Sequence, residues 1–264
     1  MNDFLKKIIA GRRQDICKAK KEVSLKTLQG KLETRRQMRS LIACLQARPN
    51  NKRANIIAEI KRASPSEGVL RGNLNPAELA REYEEAGAAA ISILTEPHYF
   101  LGSESDLQEV RKAAKIPILR KDFIVDPYQV YQSAALGADA ILLIVAALEL
   151  SLLKELYAAA IATRLETIIE VHALPELETA LQFPKAMLGV NSRNLATLET
   201  DLSTAITLAG SIPKDRIAIA ESGINNRQEV ENLMALGYRG FLIGTSLLKA
   251  RSPGAALMEL IGAT

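Results

Sequence analysis

Three carboxylates and three cations carry the chemistry open to this 264-residue chain. Glu59 and Lys61 stand two residues apart in Ile56-Ile57-Ala58-Glu59-Ile60-Lys61. Lys121 follows Leu119-Arg120 and precedes Asp122, Glu170 closes Thr167-Ile168-Ile169, Arg193 follows Asn191, and Glu221 closes Ile217-Ala218-Ile219-Ala220. Each sits at the end of a short apolar run. Residues i and i+2 of a strand share a face, so Glu59 and Lys61 look the same way. Burial there is costly unless the charges are paired or used. The six formal charges cancel, which lowers the cost of bringing them together. A lysine beside carboxylates keeps its proton and can lend it, so general acid–base work is the chemistry this set supports.

The apolar runs are the strands that must position these groups. They read as strands near 56–60, 89–94, 117–120, 140–145, 167–171, 187–190, 216–220 and 240–243, with amphipathic helical stretches between them. Asn75 before Pro76 reads as an N-cap with proline at the first helical position. Gly87, Gly137 and Gly237 mark helix ends just ahead of the next apolar run. Eight such units predict an α/β fold, a single (β/α)8 barrel over residues 1–264 with a helical extension at about 1–53. No GxGxxG follows the first strand, so a dinucleotide fold has no support. Barrel active sites lie at the C-terminal ends of the strands, where the polar residues fall. Glu221-Ser222-Gly223 and Gly244-Thr245-Ser246 place small residues after the last two strands, where backbone N–H groups can approach a phosphate. His98 and His172 have no third ligand spaced for a metal. Phe100 and Phe123 lie just past strand ends and fit either the core or an apolar wall of a pocket.

Composition narrows the class. Nearly half the residues are apolar and Trp is absent, which suits Ala/Leu/Ile-rich helices on a sheet. No apolar run reaches a membrane span, and the basic N-terminus lacks the apolar segment of a signal peptide. Cys17 and Cys44 have no CxxC or Cys/His grouping, so neither a disulfide framework nor a zinc site is expected, and a reducing cytoplasm fits. Residues 1–53 hold 15 Lys/Arg against 4 Asp/Glu, and the remainder 19 against 26. A basic arm can bind nucleic acid or membrane; with no aromatics interleaved, solvated helices packed beside the main domain are the reading preferred here.

The segments "IIAEIKRASPSEGVL", "ISILTEPHYFLGSESDL", "ILRKDFIVDPYQVYQSAALGADAILLI", "IIEVHALPELE", "LGVNSRN", "IAESGI" and "FLIGTSLLKA" run in order through almost the whole chain. In them the chain resembles the indole-3-glycerol phosphate synthase family, barrel lyases of tryptophan biosynthesis. The resemblance implies a decarboxylating and dehydrating ring closure of 1-(2-carboxyphenylamino)-1-deoxyribulose 5-phosphate. It implies no cofactor and no metal, a small phosphorylated substrate as partner, other tryptophan-pathway enzymes as further partners, and neither nucleic acid nor membrane. Lys121 matches the family's general acid at the ketone oxygen. Lys61 matches the lysine that pairs with the substrate carboxylate, and Glu59 the residue that positions it. Glu170 matches a carboxylate that takes or relays a proton during dehydration. Asn191, Glu221 and Ser222 match hydrogen-bonding partners of the substrate hydroxyls or of a catalytic water. Ser64, Gly223, Gly244 and Thr245 match the phosphate site, Phe100 and Phe123 the pocket for the anthranilate ring, and Arg193 a substrate-binding position. The basic N-terminal segment resembles the family's extra helices over the barrel mouth. Ala63 and Ser192 depart from frequent residues of the family but displace none of the proposed acids or bases. Phosphoribosylanthranilate isomerase, a related barrel, has a Cys at the end of its first strand, where this chain has Glu and Lys. The segment 65–73, with Gly68 and Gly72, is expected to act as a lid over the mouth.

Overall fold

The computed structural model describes residues 3–33, 38–47 and 53–263. Parts of the basic N-terminal stretch, 34–37 and 48–52, lie outside the described residues. Among the described residues three helices come first, α1 (Asp3–Glu22), α2 (Leu25–Glu33) and α3 (Leu41–Gln46). Then follow β1 (Ile56–Ile60), the two short strands β2 (Ala63–Ser64) and β3 (Gly68–Val69), α4 (Pro76–Glu85), β4 (Ala90–Leu94), α5 (Glu104–Ala113), β5 (Ile118–Lys121) and α6 (Pro127–Leu136). The second half runs β6 (Ala140–Ile144), α7 (Leu150–Ala162), β7 (Glu166–Val171), α8 (Leu174–Ala180), β8 (Met187–Asn191), α9 (Ser203–Ala209), β9 (Ala218–Glu221), α10 (Arg227–Ala235), β10 (Gly240–Ile243), α11 (Thr245–Lys249) and α12 (Pro253–Ile261). β1 and β4 to β10 close into one parallel barrel, with β10 returning to β1 through the pairs Ile56–Phe241 and Ala58–Ile243. This is the (β/α)8 architecture expected from the alternation of runs. Three strands extend a residue further than their sequence patterns indicate, so that Lys121, Asn191 and Glu221 are the last residues of β5, β8 and β9.

Strand alternation divides the core into two layers. Ile57, Leu119, Leu142, Ile168 and Leu242 point into the barrel, while Ile56, Ala58, Ile118, Leu143 and Ile169 pack against the helices. Glu59 therefore shares the inner face with Ile57, and Lys121 shares it with Leu119. Arg120 points the other way and is fully buried among the helices, bonded to Thr95, Gln132 and Ser133. The helix boundaries follow local chemistry. Asn75 Oδ1 accepts from the N–H groups of Ala77 and Glu78, and Gly137 ends α6 at φ 96°, a conformation that costs a residue without Cβ nothing.

The N-terminal helices serve both ends of the barrel. α1 lies over the C-terminal mouth, where Arg12 Nε and Nη2 donate to the Asp122 carboxylate at 2.9 and 2.8 Å. α3 lies at the opposite end. Its Leu41 and Leu45 are fully buried against the inner layer, Ser40 Oγ and the N–H of Ile42 donate to Glu166 at the start of β7, and the N–H of Arg39 donates to Asp139. The expectation of extra helices over the mouth thus holds for α1 but not for α3, because the apolar lower end of the barrel also needs cover from water. Among the described residues no helix is long and apolar enough to cross a membrane, and Cys17 and Cys44 are free thiols.

Candidate active site

Lys121 is the centre of the charged set. From the end of β5 its Nζ donates to Glu221 Oε2 at 2.7 Å and to Glu170 Oε2 at 3.2 Å. Across the cavity Lys61 Nζ donates to Glu59 Oε1 at 2.5 Å. The four strand ends that carry these groups converge because the barrel is closed, although the residues lie up to 162 positions apart in the chain. Asn191 Oδ1 accepts the N–H of Arg193 at 3.0 Å. Arg193 Nη1 in turn donates to Ser66 Oγ and to the carbonyl of Leu198.

Mutual proximity sets the protonation states. Burial works against a charge on Lys121, but Glu221, Glu170 and Glu59 raise its pKa above the ordinary lysine range. Burial also opposes ionisation of Glu59 and Glu170. Lys61 and Lys121 overcome it for Glu59, and Lys121 and His172 for Glu170, so both carboxyls titrate below their usual value. Glu221 goes the other way. Burial, together with Glu170 and Glu59, pushes it up to about 7 despite its bond to Lys121. One ammonium shared by two buried carboxylates cannot keep both fully ionised, and Glu221 holds the proton longer.

One cavity at the mouth gathers most of the residues expected from sequence. Lys61, Lys121, Glu59, Glu170, Asn191, Arg193, Ser222, Ser64, Phe100, Phe123, Gly223, Gly244 and Thr245 all line it. Glu221 does not. It stands behind Lys121, 1% exposed, so any influence it has on a ligand passes through that lysine. Phe100 and Phe123 face each other with ring centroids 6.3 Å apart and form an apolar wall rather than core. Ser64, Gly223, Gly244 and Thr245 form a wall of small and hydroxylated residues with Asn225 and Ser246. Ser222 and Gly223 are both left-handed, at φ 64° and 79°, a turn that carries the chain directly out of β9.

Several positions emerge only from the fold. A Cβ on Gly189 would lie 2.3 Å from Glu221 Oε1, so this glycine makes room for the carboxylate beside Lys121. Gly244 does the same for Glu59, whose Oε1 would lie 2.5 Å from a Cβ there, in addition to lining the cavity. Glu96, fully buried, accepts from the N–H groups of His98, Tyr99 and Phe100 at 2.9, 2.7 and 3.0 Å and so shapes the loop that presents Phe100. Phe4, Leu5 and Ile8 of α1 close the apolar side of the cavity. Their helical spacing is a signal present in the sequence, but its partner is not. His98 bonds Asp15 on α1, away from the charged set. Among the described residues no group of three or more His, Cys, Asp or Glu could hold a metal ion.

The sequence also matches known proteins. The family model described as indole-3-glycerol phosphate synthase matches residues 5–260. The indole-3-glycerol phosphate synthase of Polynucleobacter asymbioticus is 43% identical over 265 residues, covering 98% of this chain and 99% of that protein. That of Leptothrix cholodnii is 42% identical over 260 residues, covering 98% and 99%. Among solved structures, 3-hexulose-6-phosphate synthase from Salmonella typhimurium superposes with a TM-score of 0.64 at 13% identity, covering 79% of this chain and 97% of that one, a likeness of fold alone.

Proposed function

The chain belongs to the indole-3-glycerol phosphate synthase family, and from that premise we propose how its residues divide the work. The enzyme is a decarboxylating lyase of tryptophan biosynthesis. It closes the ring of 1-(2-carboxyphenylamino)-1-deoxyribulose 5-phosphate and releases CO2 and water. Ring closure joins an arene carbon to the ketone carbon, and negative charge builds on the ketone oxygen. An alkoxide is far more basic than an amine, so it draws a proton even from a lysine held as firmly as Lys121. Lys121 therefore acts as the general acid, and Glu221 behind it and Glu170 beside it fix the direction of its ammonium. The substrate carboxylate pairs with Lys61, which Glu59 positions and which becomes available when the carboxylate displaces that contact. Departure of CO2 restores the aromatic ring. Dehydration then needs a proton on the departing hydroxyl, which Lys61 can give once CO2 has left, and a base for the proton lost from the substrate, the role of Glu170.

The two walls of the cavity sort the ends of the substrate. The anthranilate ring fits between Phe100, Phe123 and the apolar face of α1. The phosphate fits the wall of Ser64, Gly223, Gly244 and Thr245. Asn191, Ser222 and Arg193 face the chain of hydroxyls between them. The observation that carries this reading is that Lys121, bonded to Glu170 and to Glu221 behind it, shares one cavity with the Lys61–Glu59 pair. In this reading residues 1–264 act as one unit, with the extension at about 1–53 serving both ends of the barrel, in the cytoplasm with the other enzymes of tryptophan biosynthesis. Incubation with the open-chain substrate tests the assignment, with product followed by indole fluorescence. The wild-type chain is expected to give indole-3-glycerol phosphate and Lys121→Ala almost none. A folded Lys121→Ala variant that turns over normally would overturn it.

A further inference from the structure

A second cavity lies beside the first, bordered by Ala146, His172, Glu176, Asn194, Asp201 and Thr204, and meets it at Leu5, Asn191, Arg193 and Leu195. His172, the first residue past β7, stands between Glu170 and this second cavity. Its Nδ1 lies 3.2 Å from Glu176 Oε2, and its backbone N–H donates to the same oxygen at 2.7 Å. A carboxylate in that place requires the ring proton on Nδ1. The opposite nitrogen, Nε2, is buried, has no hydrogen-bond partner among the described residues, and faces Glu170 Oε1 at 3.4 Å. A neutral ring would therefore turn a lone pair toward a carboxylate oxygen in a buried site, an unfavourable arrangement that a proton on Nε2 removes. The charged groups around the ring favour that proton. Glu170 on β7, Glu176 on α8 and Glu221 on β9 face it, and the second cavity adds Glu199 and Asp201 against the single cation Arg193. Burial alone would lower the pKa of His172, yet Glu176, Glu170 and Glu221 raise it above the usual histidine range.

We infer that His172 is a positioning residue for the dehydration step: as an imidazolium it sets its positive charge 3.4 Å from Glu170 Oε1, leaves Oε2 to Lys121, and exchanges its proton with solvent through the second cavity. This rests on the reading of Glu170 as the base. Glu176 fixes the ring, the ring fixes the carboxylate, and Glu170 stays ionised to receive a proton. The histidine has only its N–H proton to give or take, and no other bond changes. His172→Gln keeps a neutral donor near the same place and removes the charge.

The experiment is the pH dependence of the single-turnover rate of product formation, for the wild type, His172→Gln, Glu176→Gln and Glu170→Gln, with KM and far-UV circular dichroism as controls. His172→Gln is expected to move the acidic limb to higher pH, because Glu170 loses the cation that favours its charged form. At pH 6 the rate should fall roughly tenfold, a part of the ~10²–10⁴ that a positioned acid or base supplies, with KM unchanged. Glu176→Gln, which also covers the case in which His172→Gln does not fold, is expected to move the alkaline limb to lower pH, because the ring then loses its proton more readily. A loss of rate that is uniform across pH, with both limbs unmoved, would overturn the inference. If Glu170→Gln turns over at the wild-type rate, the assignment of the base itself is wrong. If Glu170→Gln is slow while His172→Gln matches the wild type at every pH, only the role of His172 fails.

Discussion

Lys121 illustrates how a single side chain depends on its neighbours. Its ammonium is held by two carboxylates, and Lys121→Ala is expected to lower kcat by ~10²–10⁴, the usual contribution of a positioned acid, while unfolding by denaturant stays cooperative. Gly189 acts at one remove. A methyl there would collide with Glu221 Oε1 and with Ile168. Gly189→Ala should cost about 1–3 kcal/mol in denaturant unfolding, and kcat should fall because Glu221 is pushed off Lys121. Unchanged kcat would mean that Glu221 does not orient the lysine. Glu221 also predicts a pH dependence of stability. Its carboxyl titrates near 7 in the folded chain against an ordinary value of 4.5. Between these limits the folded protein holds a proton that the unfolded chain has released. This group's contribution is therefore full below about pH 4.5 and is lost as pH rises through about 7. Glu59 and Glu170, titrating below their usual value, contribute above it and lose that contribution on acidification. Glu221→Gln should flatten the decline in Tm between about pH 4.5 and 7, and an equal slope in both proteins would refute this.

At the scale of elements, the β2–β3 hairpin is the part expected to respond to substrate. It follows Lys61 directly, and Pro65, Ser66 and Glu67 border the cavity. It is tethered from the far side by Arg193 to Ser66 and by Lys249 to Glu67 at 2.6 Å, the latter between exposed groups that water screens. Hydrogen exchange at residues 65–73 should slow when a substrate analogue saturates the enzyme, as the hairpin settles over the ligand. Equal exchange with and without ligand would count decisively against a lid. The loop after β4 behaves differently, because Glu96 binds three of its N–H groups from a buried position. Glu96→Ala should leave those donors without their acceptor, release Phe100, and raise KM more than it lowers kcat. Steady-state kinetics on the folded variant separates the two effects.

For the molecule as a whole, α1 and α3 cover the two ends of the barrel, while α2 packs against α6. Arg12 and Lys20 of α1 reach Asp122 and Asp126, so part of the basic charge meets the acidic barrel. Leu45 of α3 is fully buried at the lower end, far from the chemistry. Leu45→Ala is expected to destabilise the fold by about 2–5 kcal/mol while leaving KM near its original value. A variant of unchanged stability would show that α3 is not part of the cooperative unit.

Local sequence was enough to specify the eight strands, the caps at Asn75 and Gly137, and the inward face shared by Glu59 and Lys61. Those features depend on a few neighbouring residues and on a period of two. Lys61, Lys121, Glu170, Asn191, Arg193 and the small residues after the last two strands were legible too, because strand ends in a barrel must meet, whereas Ser64 came only from the family resemblance. The tertiary structure alone decided that Glu221 sits behind Lys121, that Gly189 and Gly244 make room for carboxylates, and that Arg120 turns into the helices. It also decided that α3 covers the lower end and that His172 lies between Glu170 and a second cavity. Each of these depends on which atoms meet after the barrel closes, and contacts between residues as distant in the chain as Gly244 and Glu59 leave no periodic trace in it.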